Sequence, residues 1–112
     1  MTRSTPLPGR QVRGSQTGRP IMALLDLLGR RWALRVLWEL RGDSPPTFRR
    51  LQQRCDGVSS SVLAGRLREL GQADLVEHAG EGYLLTSQGR ALLEHLVQLD
   101  AWASDWQPKT AD

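Results

Sequence analysis

The 112-residue chain is short of several things, and each shortage excludes a class of protein. It has a single cysteine, Cys55, so no intramolecular disulfide framework can staple it. No apolar run approaches the roughly 20 residues that a membrane span needs. The start of the chain has no apolar signal-peptide core. A cytoplasmic protein without a membrane role is therefore expected. His78 and His95 do not stand at metal-ligand spacing from each other or from Cys55. Ser59, Ser60 and Ser61 have no nearby His and acid partners, and there is no glycine-rich phosphate loop. Neither a metal, a cofactor nor an enzymatic centre is expected. Lysine is almost missing: Lys109 stands against fourteen arginines. Aromatics number six, four of them Trp32, Trp38, Trp102 and Trp106.

What is present is one modest core's worth of apolar residues and a basic balance, with net charge +3 and pI about 10.0. Arginine suits forked contacts to phosphate and guanine. A GC-rich genome also enriches arginine, so placement matters more than the total. Residues 1–19 hold Arg3, Arg10, Arg13 and Arg19, no acid, and many Pro, Gly, Ser, Thr and Gln. Composition casts them as a disordered basic tail, either inert or lying along DNA phosphates. A domain is expected over residues 20–107, with a second short tail at 108–112.

Within that domain, Pro20 opens a short apolar helix that Gly29 ends. Trp32, Val36, Leu37 and Leu40 share one face of a second helix, broken by residues 42–46. Thr47 caps a third, in which Phe48, Leu51 and Cys55 face inward. Gly57 suits the tight turn that follows. Ser59 caps a fourth helix running to about Leu70, with Val62 or Leu63, then Leu67 and Leu70, inside. After Gly71 the period changes to two. Residues 75–78 and 83–85 read as strands joined by a turn at 79–82. A last helix starts near Ser87. Its apolar residues Leu92, Leu96, Leu99, Ala103 and Trp106 alternate at spacings of four and three, a narrow seam suited to another helix.

The expected fold is mainly α with a small β-hairpin, in the order α-α-α-α-β-β-α. Two short helices joined by a tight glycine-bearing turn, then a hairpin, make a winged helix-turn-helix. The second helix of the pair is expected in the DNA major groove. Ser59 caps it, and Ser60, Ser61, Ala64, Gly65 and Arg68 turn outward, with Arg66 at the edge. This face is small, polar and free of acid before Glu69. Residues 29–54 add seven arginines (30, 31, 35, 41, 49, 50 and 54) against Glu39 and Asp43. Arg31, Thr47, Arg49 and Arg50 thus join the expected DNA-binding set, where phosphates run. The competing reading is a winged-helix protein–protein interaction module with no DNA role, which has no need of that basic stretch.

Residues 28–32 (Leu-Gly-Arg-Arg-Trp), 48–51 (Phe-Arg-Arg-Leu), 57–59, Leu63, 66–70, Leu75-Val76 and the Tyr-x-Leu-Thr-x-x-Gly block at 83–89 resemble the HxlR-type (DUF24) regulators, a subgroup close to the MarR family. The resemblance runs from about residue 20 to 106. It implies a bacterial winged-helix regulator of transcription, more in keeping with a repressor, that binds a double-stranded operator as a homodimer. First and last helices would form the dimer interface, here Leu24, Leu25, Leu28, Leu92, Leu96, Leu99, Trp102 and Trp106. Trp102 and Trp106 are also candidates to line a small-molecule effector pocket there. Members that sense oxidants or electrophiles carry a cysteine near the start of the domain, where this chain has Arg19-Pro20-Ile21. Cys55 falls on a core position instead. The wing is shorter than the family's and carries Glu81 at its tip. The arginines of residues 1–19 are candidates to replace its contacts.

Overall fold

The computed structural model describes residues 4–109. It consists of α1 (Pro20–Leu28), α2 (Ala33–Glu39), α3 (Phe48–Arg54), α4 (Ser60–Gln72), β1 (Val76–Ala79), β2 (Gly82–Leu85) and α5 (Ser87–Ser104). This is the winged helix-turn-helix order expected from the pattern. The caps are the residues that the sequence offers. Thr47 Oγ1 accepts from Arg50 N at 3.1 Å, Ser59 Oγ from Val62 N at 3.3 Å and Thr86 Oγ1 from Gly89 N at 3.0 Å. Each satisfies a first-turn N–H that has no partner within its own helix.

Helix ends are equally local. After α3, Asp56 and Gly57 take left-handed φ values of 58° and 75°. Asp56 N donates to Gln53 O and Gly57 N to Gln52 O, the paired bonds of a Schellman stop. After α4, Asp74 (φ 58°) does the same, with Asp74 N on Gly71 O and Leu75 N on Leu70 O, both at 3.0 Å. The helix therefore runs past Gly71 to Gln72, two residues beyond the expected end. Gly71 has no Cβ neighbour that forces a break, and Asp74 supplies the left-handed residue instead.

The core gathers Val36, Leu37 and Leu40 of α2, Leu51 and Cys55 around α3, and Leu63, Leu67 and Leu70 of α4. Val76 and Leu85, opposite each other in the antiparallel hairpin, close it from below. Cys55 is wholly buried, and that burial pushes its thiol above the ordinary range. A thiol held neutral and out of water is a packing residue.

The hairpin differs from expectation by one residue at each strand. Ala79 pairs with Gly82, leaving only Gly80 (φ 62°) and Glu81 as the turn. Gly82 must be glycine: a Cβ there would stand 2.7 Å from Pro46 O and 2.8 Å from Pro45 O. Tyr83 N donates to Pro46 O at 3.0 Å, and Thr47 bridges to Gly82, so the α2–α3 connection braces the wing like a third strand. Gly89 is likewise obligatory, because a Cβ would collide with the Leu75 carbonyl. Thr86 ties the same corner, its N–H on Leu75 O and its hydroxyl on Asp74 O. The block at residues 83–89 is thus a hairpin-to-helix corner.

Residues 4–19 depart from the tail that their composition suggests. Gly9, Gly14 and Gly18 take φ of 86°, 85° and 75°, Val12 bridges to Ser15, and Gly9 N donates to Gly18 O at 2.9 Å. The glycines and polar residues that look like disorder are turn chemistry. Arg3, and the end of the 108–112 segment from Thr110 on, lie outside the described residues.

Candidate nucleic-acid interface

Helix α4 presents its residues as the periodicity requires. Leu63, Leu67 and Leu70 are buried, while Ser60, Ser61, Ala64 and Arg68 are exposed. Ala64 and Arg68 border the grooves on both sides of the helix, so they form its outer crest. One groove, a cleft of about 790 Å³, runs between α4 and the Arg30-Arg31 corner and includes Ser61, Gly65 and Arg66. The other, about 320 Å³, separates α4 from Phe48 and the hairpin residues Glu77, His78 and Tyr83.

Gly65 sits in mid-helix with nothing within 4 Å of where a Cβ would be. Glycine in a helix interior costs roughly 0.5–1 kcal/mol relative to alanine. Among the described residues no packing demands it, and the space it leaves opens into the cleft beside Arg30 and Arg31.

The expected contact residues divide on inspection. Ser59 is spent on its cap, and its neighbour Ser60 accepts from Gln52 Nε2 at 3.2 Å, fixing the α3–α4 turn. Thr47 is spent on the α3 cap but remains exposed. Ser61, Ala64, Arg31, Arg49, Arg50 and Arg68 are exposed, and the four arginines have no side-chain hydrogen bond or ion pair among the described residues. Arg66 is different. It turns inward, its Nη1 3.0 Å from Glu69 Oε1, with its side chain about one-fifth exposed.

Glu69 is the residue that the sequence pattern misplaces. It was expected as the first acid on the outer face. It is instead buried at 4% exposure, paired with both Arg30 and Arg66. Only its rarity, one acid in an otherwise basic helix, marks it in the sequence.

The arginine-rich stretch also shrinks as a DNA surface. Arg35 pairs with Glu39 at 2.9 Å and Asp56 at 3.2 Å, and the hydrogen bond to Glu39 is the main reason its guanidinium is held charged beyond its ordinary range. Arg54 donates to Glu39 O, and Arg41 to Trp38 O while stacking 4.6 Å over the Trp38 ring. Arg30 belongs to the Glu69 cluster. Of the seven, only Arg31, Arg49 and Arg50 have no side-chain hydrogen bond or ion pair among the described residues.

The residues expected at a dimer interface also divide. Leu24 lines a small apolar cavity beneath Pro6, Leu7 and Pro8. Leu28, Leu92 and Leu96 are half-buried against the core. Leu25 (53%), Leu99 (59%), Trp102 (62%) and Trp106 (59%) are open, the two indoles stacked at 5.6 Å. Ile21 adds to the α1 stripe one turn before Leu25. No helix among the described residues is long and apolar enough to cross a membrane.

The profile of the HxlR-like helix-turn-helix family matches residues 27–111. The transcriptional regulator YodB of Bacillus subtilis is 32% identical over 88 residues, 72% of this chain and 78% of YodB. Its quinone-bound crystal structure superposes with a TM-score of 0.70 over 77% of this chain and 97% of that one. A possible HxlR family transcriptional factor from Thermoplasma volcanium gives a TM-score of 0.66 at 28% identity, covering 72% of this chain and 78% of the other. A helix-turn-helix with a hairpin wing, an acid-free small face on its second helix and this match over most of the chain lead to one conclusion: the chain belongs to the HxlR-like family of helix-turn-helix transcriptional regulators.

Proposed function

We propose that the chain works as a homodimer that binds a double-stranded operator, each protomer placing the N-terminal half of α4 in a major groove, and that it represses by occupying that site. The observation that carries this reading is the outer crest of α4. It is small and without acid, and it is flanked by arginines that have no side-chain partner among the described residues. Arg68 reads a base edge. Arg31, Arg49 and Arg50 hold phosphates, with Ser61 and the free first-turn N–H groups of α4 beside them. The hairpin, with a two-residue turn and Glu81 at its tip, contributes little. An interaction module without a DNA role leaves these unpaired arginines and the empty space at Gly65 without a use.

Two substitutions separate base reading from phosphate holding. Arg68→Ala is expected to cost about 1–3 kcal/mol on the operator and much less on random duplex. Arg50→Ala is expected to weaken both alike and to reduce the slope of log K against log salt by about 0.9 per protomer, about 1.8 for the dimer. Fluorescence anisotropy across a salt series measures both. Equal loss on all sequences for Arg68→Ala contradicts base reading.

Gly65 supplies a test in which stability and binding move in opposite directions. Gly65→Ala is expected to raise stability by about 0.5–1 kcal/mol, since it removes a flexible residue without a clash. It is expected to weaken operator binding, because the methyl fills space reserved for DNA. Unchanged affinity would show that the space is not used.

Dimerisation runs through Ile21 and Leu25 on α1 with Leu99 and Trp102 on α5 and Trp106 just past its end. The YodB structure with bound quinone supports a small-molecule effector here too. With its one thiol buried, this chain would bind such a molecule without thiol chemistry. Its place of work is the cytoplasm, where the DNA is.

A further inference from the structure

We propose that residues 4–19 form a strap that positions helix α4 for DNA, acting through Thr5, Arg30 and Gln72 and not through contacts of its own with the duplex. The inference rests on the DNA-binding reading above.

The strap is a built element. Within it, residues 9–18 form a loop closed at its base by the Gly9–Gly18 bond and at its tip by the Val12–Ser15 bridge. At Gly18 a Cβ would collide with the backbone of Arg10, so the two limbs touch. The strap is pinned to α1 in two places. Arg13 N donates to Asp26 Oδ2 at 3.1 Å, and Gly14 lies against Met22. From there the chain leads back to α4. Thr5 and Pro6 are buried, and Thr5 Oγ1 donates to Gln72 Oε1. Arg30 Nη2 donates to Ser4 O at 2.8 Å, while Nη1 of the same guanidinium holds Glu69.

Glu69 and Gln72 are three residues apart in the last turns of α4. Ser59–Ser61, which begin the helix, are at the opposite end. The strap therefore grips the last turns of α4, away from Ser61 and Ala64 and directly beside Arg68, and one arginine is shared between the strap and the helix. A rigid helix gripped at one end carries a change of tilt to the other.

The experiment uses full-length protein and a duplex selected by that protein from a random-sequence pool. Gly18→Val opens the strap without touching α4, because both the positive φ and the contact with Arg10 forbid the side chain. Thr5→Val removes the hydroxyl and keeps the shape, and Thr5→Ser restores it. Affinity is read across a salt series, at a temperature where circular dichroism shows each variant folded. Gly18→Val and Thr5→Val are expected to weaken binding about three- to thirtyfold with the salt slope unchanged, and Thr5→Ser to bind like the parent. If Gly18→Val does not fold, Thr5→Val against Thr5→Ser carries the test. Unchanged affinity overturns the proposal. So does a shallower salt slope, which would mean that the strap touches phosphates itself, and so does Thr5→Ser binding as weakly as Thr5→Val. If the parent chain selects no duplex at all, the DNA-binding reading fails first and takes the strap with it.

Discussion

Replacing Glu69 with alanine is expected to destabilise the domain by about 3–5 kcal/mol, the cost of leaving buried cations without their counter-charge. Arg30 and Glu69 keep only 10% and 5% of their side-chain surface, and Arg66 keeps 21%. Removing the carboxylate leaves two largely covered guanidiniums without their counter-charge. Glu69→Gln keeps the hydrogen-bond acceptor and loses the charge, so it should fall between parent and alanine. Urea unfolding measures all three, with DNA absent. A loss below about 0.5 kcal/mol for Glu69→Ala would show that the cluster is solvated in solution, as surface pairs are. The cluster joins the α1–α2 corner, the strap and α4, so its loss should also loosen α4 against the rest of the domain.

If the chain dimerises as proposed, a single aspartate at Trp102 is expected to convert the dimer to a monomer. Burying a large apolar side chain is worth about 1.5–3 kcal/mol. In a two-fold interface every substitution counts twice, giving about 3–6 kcal/mol before the new charge is considered. Leu99 and Trp102, in the second half of an 18-residue helix whose first half packs on the core, and Trp106 just beyond its C-cap, are each about three-fifths exposed. An apolar stripe of that kind in open water needs a cover. Monomeric Trp102→Asp should bind an operator of two half-sites at least a hundredfold more weakly, since the two contacts no longer act as one. Sedimentation velocity reads the oligomeric state. A parent chain that is monomeric at micromolar concentration contradicts the assignment of this stripe.

Much of the fold was legible because its signals are local. Thr47 and Ser59 cap where an apolar period begins. The run Leu63, Leu67, Leu70 fixes which side of α4 faces in, and that alone turns Ser61, Ala64 and Arg68 out. Three things were not legible, each for a physical reason. The order of residues 4–19 depends on glycines that close turns on distant residues, and composition cannot tell a turn-forming glycine from a flexible one. Glu69 reads as a surface acid because its partner Arg30 lies 39 positions away and comes close only after α4 packs on α2. The arginine count overstates the DNA surface because Arg30, Arg35, Arg41 and Arg54 meet their partners only in the folded chain. The seam of α5 was visible, yet half of it packs inside the protomer at Leu92 and Leu96 and half does not. Periodicity gives the stripe and leaves open what covers it.

The central claim is that α4 reads sequence. The most direct measurement is the affinity of the full-length chain for a duplex it has selected from a random pool, against the same duplex scrambled, from low to physiological salt. Sequence reading by α4 requires a preference of at least about a thousandfold at physiological salt, and the preference should collapse in Arg68→Ala. Equal affinity for both duplexes, falling together with salt, would contradict it and leave a basic surface that binds any DNA.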